Sequence, residues 1–431
     1  MSEIRTIPPQ LTKNEWNALL DHALEKPASY IIRNSNGTIQ AINGSTGKID
    51  YSGTDASTVI QSAINATNKG VIFLKEMDVN IGTSTINVTD KEILIVGSGM
   101  DTTIIRGSGD YIMKFERTVA YDVFMGLQKV KLVQNNDNGD CLVLRKVTWS
   151  HFSDILTDGG RRGLSLEGAI GNLFINIYVW GAKASFTEPL TGGGIFLTGY
   201  GVEYANENRF IGGRVSGCLG DGIVGTYGIN DYFQMDIEAN NVGFRAYTGF
   251  SNWILNQCWF EANTAQAIFI VAAGTYGGKI SNCVISVPSN AEGIQTRQSD
   301  VEIADNWFTG SGTYYIEGIN LSAPKKLRIV KNIGLTTAKL SGVSGATFVD
   351  NTDFVTENSG TATFSGNGTQ TAFTIAHGLA STPKMAIVTA GSSDAKGDFY
   401  VTYDATNITV TYATAPPTGT NNVILGWYAE I

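Results

Sequence analysis

The sequence predicts an all-β fold of stacked coils, a single-stranded solenoid, and three observations lead there. A small residue followed by an apolar one recurs at Cys141-Leu142, Gly163-Leu164, Gly194-Ile195, Gly222-Ile223, Gly243-Phe244, Ala267-Ile268, Gly293-Ile294, Gly318-Ile319 and Gly342-Val343, with steps of 22, 31, 28, 21, 24, 26, 25 and 24. A second column keeps pace through Thr157, Val179, Val215, Ile237, Phe260, Ile285 and Phe308, with steps of 22, 36, 22, 23, 25 and 23. Self-similarity at this period marks units that stack on their sequence neighbours to share one core. The composition agrees: 50 Gly and only 9 Pro in 431 residues, 42% of them hydrophobic, suit a turn-rich β protein and not a disordered chain.

Taken in order, the first element is a helix near the start. Thr12 can cap it, Glu15 sits three positions on, and Trp16, Leu19, Leu20, Ala23 and Leu24 form a stripe that Pro27 ends. Residues 1–50 are therefore read as an N-terminal helix and attachment segment. A second helix follows over about Ala56 to Thr67, with Val59, Ile60, Ala63 and Ile64 on one face. The open end of a solenoid exposes strand edges and apolar core, so a helical cap is expected there. Short β segments come next at Val71–Leu74, Thr85–Val88, Glu92–Val96 and Thr103–Ile105.

The order of these pieces resembles the start of the pectate-lyase-like right-handed parallel β-helix superfamily. Its helix reads here as Asp55-Ala56-Ser57-Thr58-Val59-Ile60-Gln61-Ser62-Ala63-Ile64, its strand as Gly70-Val71-Ile72-Phe73-Leu74, and its turn as Gly97-Ser98-Gly99-Met100-Asp101-Thr102-Thr103-Ile104. The family's "PPGTY" portion is replaced by Lys75-Glu76-Met77-Asp78-Val79. The resemblance covers about residues 51–355 and implies a right-handed coil there.

Two-residue alternation within each strand assigns inside and outside. If the Val215, Ile237, Phe260 column faces in, so does the column two residues earlier, Ile155, Ile177, Gly213, Met235, Cys258, Cys283 and Asn306. A polar column, Asp154, Asn176, Gly212, Gln234, Gln257, Asn282 and Asp305, marks a corner. From residue 356 to 431, short alternating segments separated by Gly, Asn and Asp turns predict an antiparallel β-sandwich. It is similar to the small sandwich tails that end some phage and archaeal-virus fibre proteins.

Outward positions are where chemistry can sit. One flank carries Leu156, Tyr178, Arg214, Asp236, Trp259, Val284 and Trp307, and the other Asp158, Trp180, Ser216, Glu238, Glu261, Ser286 and Thr309. Neighbouring coils stack about 4.8 Å apart, which brings Asp236, Glu238 and Glu261 together. Crowded carboxylates push one pKa up, as acid–base hydrolysis of glycosides requires, and flat rings stack on sugars. The candidate catalytic residues are Asp236, Glu238 and Glu261; the candidate substrate-binding residues are Tyr178, Trp180, Arg214, Trp259 and Trp307. Non-catalytic glycan binding and a subunit contact are equally compatible with such a strip. A second candidate is the excursion Ala182–Glu207, with Tyr200, Glu203, Tyr204 and Glu207. A polar corner at Asp154, Asp158, Arg161 and Arg162 is a third.

A net charge of -9 argues against a nucleic-acid partner, and no apolar stretch is long enough to span a membrane. His22, His151 and His377 are too scattered for a metal site, so neither metal nor cofactor is expected. Cys141, Cys218, Cys258 and Cys283 form no dense disulfide framework and read as buried free thiols. Met1-Ser2-Glu3-Ile4 lacks the basic and apolar regions of a secretion signal, so synthesis in a reducing cytoplasm is expected. The Arg-x-Pro-x-x-Arg pattern of pectate lyases is absent. Asn351-Thr352-Asp353 mimics a polygalacturonase motif without its companions and is read as lying after the solenoid.

The whole arrangement resembles a virus tail-spike or tail-fibre (receptor-binding) protein. That resemblance implies a homotrimer in the virion tail, made in the host cytoplasm and acting outside the cell. It also implies attachment to a tail or baseplate protein through the N-terminus, and recognition of a host surface polysaccharide with depolymerase activity as a further capability. A free polysaccharide lyase or glycoside hydrolase, and a cellular adhesion or surface protein, are the alternatives.

Overall fold

The computed structural model describes residues 28–431 except 121, 185–192, 248, 272–276, 299, 322–325, 344 and 353–354. The helix expected between Thr12 and Pro27 lies outside the described residues. The chain divides into two compact units, Met1–Tyr276 and Gly277–Ile431.

Among the described residues, the first unit opens with antiparallel strands. Strands Tyr30–Ser35 and Thr38–Asn43 pair through an Asn36-Gly37 turn, both residues at positive φ (52° and 83°) as a two-residue hairpin with matching twist demands. Thr38–Asn43 also pairs with Ile49–Gly53, and Tyr30–Ser35 joins Lys69–Leu74 in parallel. The one α-helix among the described residues, Ala56–Ala66, is N-capped by Asp55, whose carboxylate accepts from the Ser57 amide. It buries Val59, Ile60, Ala63 and Ile64 beside the strands Thr38–Asn43, Ile49–Gly53 and Ile86–Thr89. Among the described residues, no helical cap beyond this helix and its antiparallel meander is evident.

Parallel coils follow, each adding a strand to two sheets. Register pairs Thr157 with Val179, Val179 with Val215, Val215 with Ile237 and Ile237 with Phe260, all of them buried. In the second sheet Leu142, Leu164, Ile195, Ile223, Phe244 and Ile268 stand in line. Inside, Phe152, Phe174, Phe210 and Tyr232 form a stack with centroids 5.4, 4.5 and 5.1 Å apart and planes within 18°, 9° and 10°. The polar corner is a column of left-handed residues: Asp154, Asn176, Gly212, Gln234 and Gln257 have φ of 51°, 53°, 66°, 55° and 55°. Short polar side chains and glycine tolerate this conformation, and Asn176 donates to Asp154 across one coil at 3.0 Å.

A second ladder is buried. The Asn208 side chain receives hydrogen bonds from the Asn172 amide and Nδ2, and gives its own Nδ2 to Asn230 Oδ1 at 2.9 Å and to the Ala169 carbonyl at 2.8 Å. Asn240 and Asn263 repeat the pattern.

In the second unit, strands Gly278–Ser281, Val301–Ala304, Arg328–Val330 and Thr347–Val349 continue the parallel pattern. Ile285 and Phe308 are buried and in register, and Asn282 and Asp305 carry φ of 55° and 56°. The first column departs from the sequence reading here: Ile294 lines up with Ile316 and Leu340, not with Ile319 and Val343. Gly318 aligns with Thr296 at the strand's end, where a Cβ would stand 2.6 Å from the Gly342 carbonyl oxygen. Asn306, Asn332 and Asn351 form another amide ladder, so Asn351 belongs to the last coil instead of following it. Two three-stranded antiparallel sheets begin at Glu357: Glu357–Gly366, Gly419–Glu430 and Met385–Ala390, then Ala372–Ala376, Asn407–Tyr412 and Phe399–Tyr403. Both supply one core that includes Phe373, Ile408, Val410, Val423 and Leu425.

Candidate functional site

The outer strip of the first unit has the register that alternation requires. Tyr178 pairs with Arg214, Arg214 with Asp236 and Asp236 with Trp259; alongside, Trp180 pairs with Ser216, Ser216 with Glu238 and Glu238 with Glu261. Two columns of side chains therefore stand on one face. Ile237 and Phe260 point the other way and anchor the two short strands in the core.

Arg214 lies between two of the three carboxylates. Its Nε is 3.2 Å from Asp236 Oδ2, and its Nη2 donates to Glu238 Oε1. Ser216 donates to the same Glu238 oxygen at 3.1 Å. Glu261 accepts from the Trp259 indole at 3.1 Å. Trp180 and Trp259 are 54% and 46% exposed, each presenting ring surface beside the charged cluster. Partial burial pushes the Asp236 carboxyl above its ordinary value; the charges of Glu238 and Glu261 act in the same direction, and Arg214 opposes them. Asp236 Oδ1 is buried and accepts no hydrogen bond among the described residues.

Trp307 sits in the second unit, 56% exposed and paired in register with Val284, so it too is outward-facing. Among the described residues of the excursion, Tyr200 bridges Glu203 in a tight hairpin, pinned by the half-buried Glu203 against buried Arg117 at 3.0 Å. Arg145 lies over the Tyr200 ring at 4.5 Å, and Tyr204 stacks on Tyr227. At the third candidate, Arg161 pairs with fully buried Asp140 at 2.8 Å, whereas Asp158 pairs with Lys131 at 3.0 Å. His377 is a core residue whose Nδ1 accepts from the Leu379 amide. All four cysteines are buried thiols outside any disulfide.

Sequence reasoning missed a charged ladder on the outer face of the second sheet: Lys114, Glu116, Arg145 and Glu167, linked at 2.8, 3.6 and 2.7 Å. Its signal was present, since Glu116, Arg145 and Glu167 occupy one register column. It also missed the buried pair Asp221–Arg245 at 2.6 Å.

The fold is that of the pectate-lyase-like β-solenoid, and the solved structures it matches include phage tailspikes and polysaccharide epimerases and lyases. The enzymatically active domain of tailspike protein 2 of bacteriophage CBA120 matches with a TM-score of 0.50 and 10% identity, over 86% of this chain and 67% of that one. The ORF18 protein of Geobacillus virus E2 matches with a TM-score of 0.49 and 16% identity, over 88% and 85%. The A-module of mannuronan C-5 epimerase AlgE6 of Azotobacter vinelandii matches with a TM-score of 0.45 and 14% identity, over 68% and 93%. No protein-family model and no curated protein sequence matches the chain.

Proposed function

We propose that the chain is a tailspike-type receptor-binding protein of a virion tail. In this reading it is a homotrimer that engages a host surface polysaccharide through the outer strip and a tail or baseplate protein through its N-terminal segment. The coil is right-handed, as parallel crossovers almost always are, and the two C-terminal sheets form a sandwich. The observation that carries the reading is the pairing of half-exposed Trp180 and Trp259 with Arg214, Asp236, Glu238 and Glu261 on one face. Indole rings stack on the apolar faces of sugars, while the guanidinium and carboxylates bond their hydroxyls. Tyr178 extends the strip, and Trp307 offers an exposed ring of the same kind within the second unit.

Binding of the chain to extracted host polysaccharides tests this. Trp180→Ala and Trp259→Ala each lower affinity about tenfold, the worth of a lost aromatic contact; undiminished binding by the double variant refutes the strip. Light scattering checks the trimer.

One observation favours chemistry as well as binding. Asp236 holds its proton more tightly than an ordinary carboxyl, as a general acid must, with Glu261 one coil away as the second carboxylate. The spacing of coils, about 4.8 Å, and of alternate residues, about 6.7 Å, suits a hydrolytic pair. Release of reducing ends that survives Asp236→Asn, Glu238→Gln and Glu261→Gln assigns the chemistry elsewhere.

A further inference from the structure

The first coils hold a polar cleft away from the strip. It is open to solvent, with a volume of about 470 Å³, and is walled by Thr83, Thr85, Asn87, Ser108, Tyr111 and Lys114. That volume lies within the range of small-ligand sites. Its chemistry is hydroxyl, amide and one phenol, with a cation and the Asp110 carboxylate also on the wall. Such a lining offers little to an apolar ligand and much to a polyhydroxylated one.

The walls are set by the backbone. The Ser108 amide donates to the Gly82 carbonyl at 2.7 Å, the Thr85 hydroxyl to the Tyr111 carbonyl at 2.9 Å, and the Asn136 side chain to the Gly109 carbonyl at 3.3 Å. Gly109 permits the close approach, since a Cβ there would stand 2.3 Å from the Thr83 carbonyl oxygen. Asn87 is fixed by its amide donating to Gln61 at 2.8 Å and its Nδ2 to the Thr85 carbonyl at 3.1 Å. The Tyr111 hydroxyl and the Asp110 carboxylate have no hydrogen-bond partner among the described residues, so both remain available.

Lys114 gives the cleft its ligand preference. Its ammonium is 2.8 Å from Glu116, which also has Arg145 at 3.6 Å, and Arg145 is held in turn by Glu167. Glu116 therefore keeps a cation when Lys114 turns into the cleft. Arg161 stands a coil beyond Asp140 and stays bound to that buried carboxylate, which pairs in register with Tyr111. A carboxylate entering at this end meets Lys114, whose release leaves Glu116 with Arg145 and strands no buried anion.

We infer that this cleft is a second saccharide site, separate from the tryptophan strip, that binds a sugar unit carrying a carboxylate. Lys114 takes the carboxylate. Tyr111, Asn87 and Asp110 take the hydroxyls.

The test is calorimetric titration of the full chain with an oligoglucuronate and with the same oligosaccharide after carboxyl reduction. The background is the Trp180→Ala, Trp259→Ala double variant, so that the strip contributes nothing. Binding of the oligoglucuronate persists in that background, and Lys114→Met weakens it about tenfold or more, the worth of a charge-assisted contact. Carboxyl reduction produces the same loss, and Lys114→Arg restores part of the affinity. The inference is overturned if the double variant binds no oligoglucuronate, if the reduced sugar binds as well, or if Lys114→Met titrates as the unmodified chain does. Failure of the strip would instead show as unchanged host-polysaccharide binding by the double variant, so the two readings fall separately.

Discussion

Replacing Asn208 with alanine removes more stabilisation than its single side chain suggests. The residue is buried, and its amide group takes part in four hydrogen bonds: two accepted from Asn172 and two donated, to Ala169 and Asn230. Some of its neighbours keep a partner. Asn172 Nδ2 still reaches the Val147 carbonyl, and the Ala169 carbonyl still receives the Asn206 amide. The Asn172 amide does not, because its bond to Asn208 Oδ1 is the one recorded for it. Four net bonds at about 0.5–1.5 kcal/mol each, one leaving a buried donor orphaned, give about 3–4 kcal/mol. Stacked coils open locally, so the assay is native-state hydrogen exchange resolved by residue. Protection of amides in 172–176 and 208–211 falls by about two to three decades, at roughly 1.4 kcal/mol per decade. Distant coils of the same unit, such as that of Leu94–Val96, retain theirs. A fall of less than one decade, or one spread evenly over the unit, refutes the reasoning that the amide ladder holds each corner.

Other outcomes follow from groups already described. Arg245→Met strands the buried Asp221 carboxylate and costs about 3–5 kcal/mol by denaturant titration, and adding Asp221→Asn recovers part of it. Asp236, whose folded pKa is raised, favours folding fully below its unfolded pKa and loses that contribution as pH rises through the folded value. Asp236→Asn therefore gains thermal stability relative to the unmodified chain between acid and neutral pH; a gap that shrinks over this range contradicts the assignment. Burial pushes the Cys218 thiol to about 12 and raises Cys141 as well, so a thiol reagent at pH 8 labels neither until denaturant is added. Arg117→Met frees Glu203 and exposes the hairpin around Gly201 to protease without moving the melting transition of the coils.

Much of the scaffold was legible because stacking forces like residues into columns. The inward column from Thr157 to Phe308 and the left-handed column from Asp154 to Asp305 were both readable, since burial and positive φ each select a narrow set of residues. The outer strip followed from them by alternation alone. What stayed hidden depended on side-chain pairing. Asn172, Asn208 and Asn230 look like ordinary turn residues, and nothing in a one-letter pattern distinguishes an amide that bonds upward and downward through a core. Gly318 and Gly342 misled the reading because glycine is also demanded at strand ends where backbones touch, so Ile316 and Leu340 were displaced by three positions. The Lys114–Glu167 ladder stayed hidden because the inward column that fixes outward positions by alternation belongs to the other sheet.

The excursion after Trp180 has a consequence for how this chain can change. The ladder spans 36 residues from Asn172 to Asn208 and 22 from Asn208 to Asn230, yet the hydrogen bonds on either side are 2.9 Å in both cases. The corner is indifferent to how much chain leaves and returns between its amides. A foreign segment of different length and composition can be grafted there while the coils above and below keep their register. Variation of surface chemistry at that edge is thereby uncoupled from the folding of the scaffold that carries it.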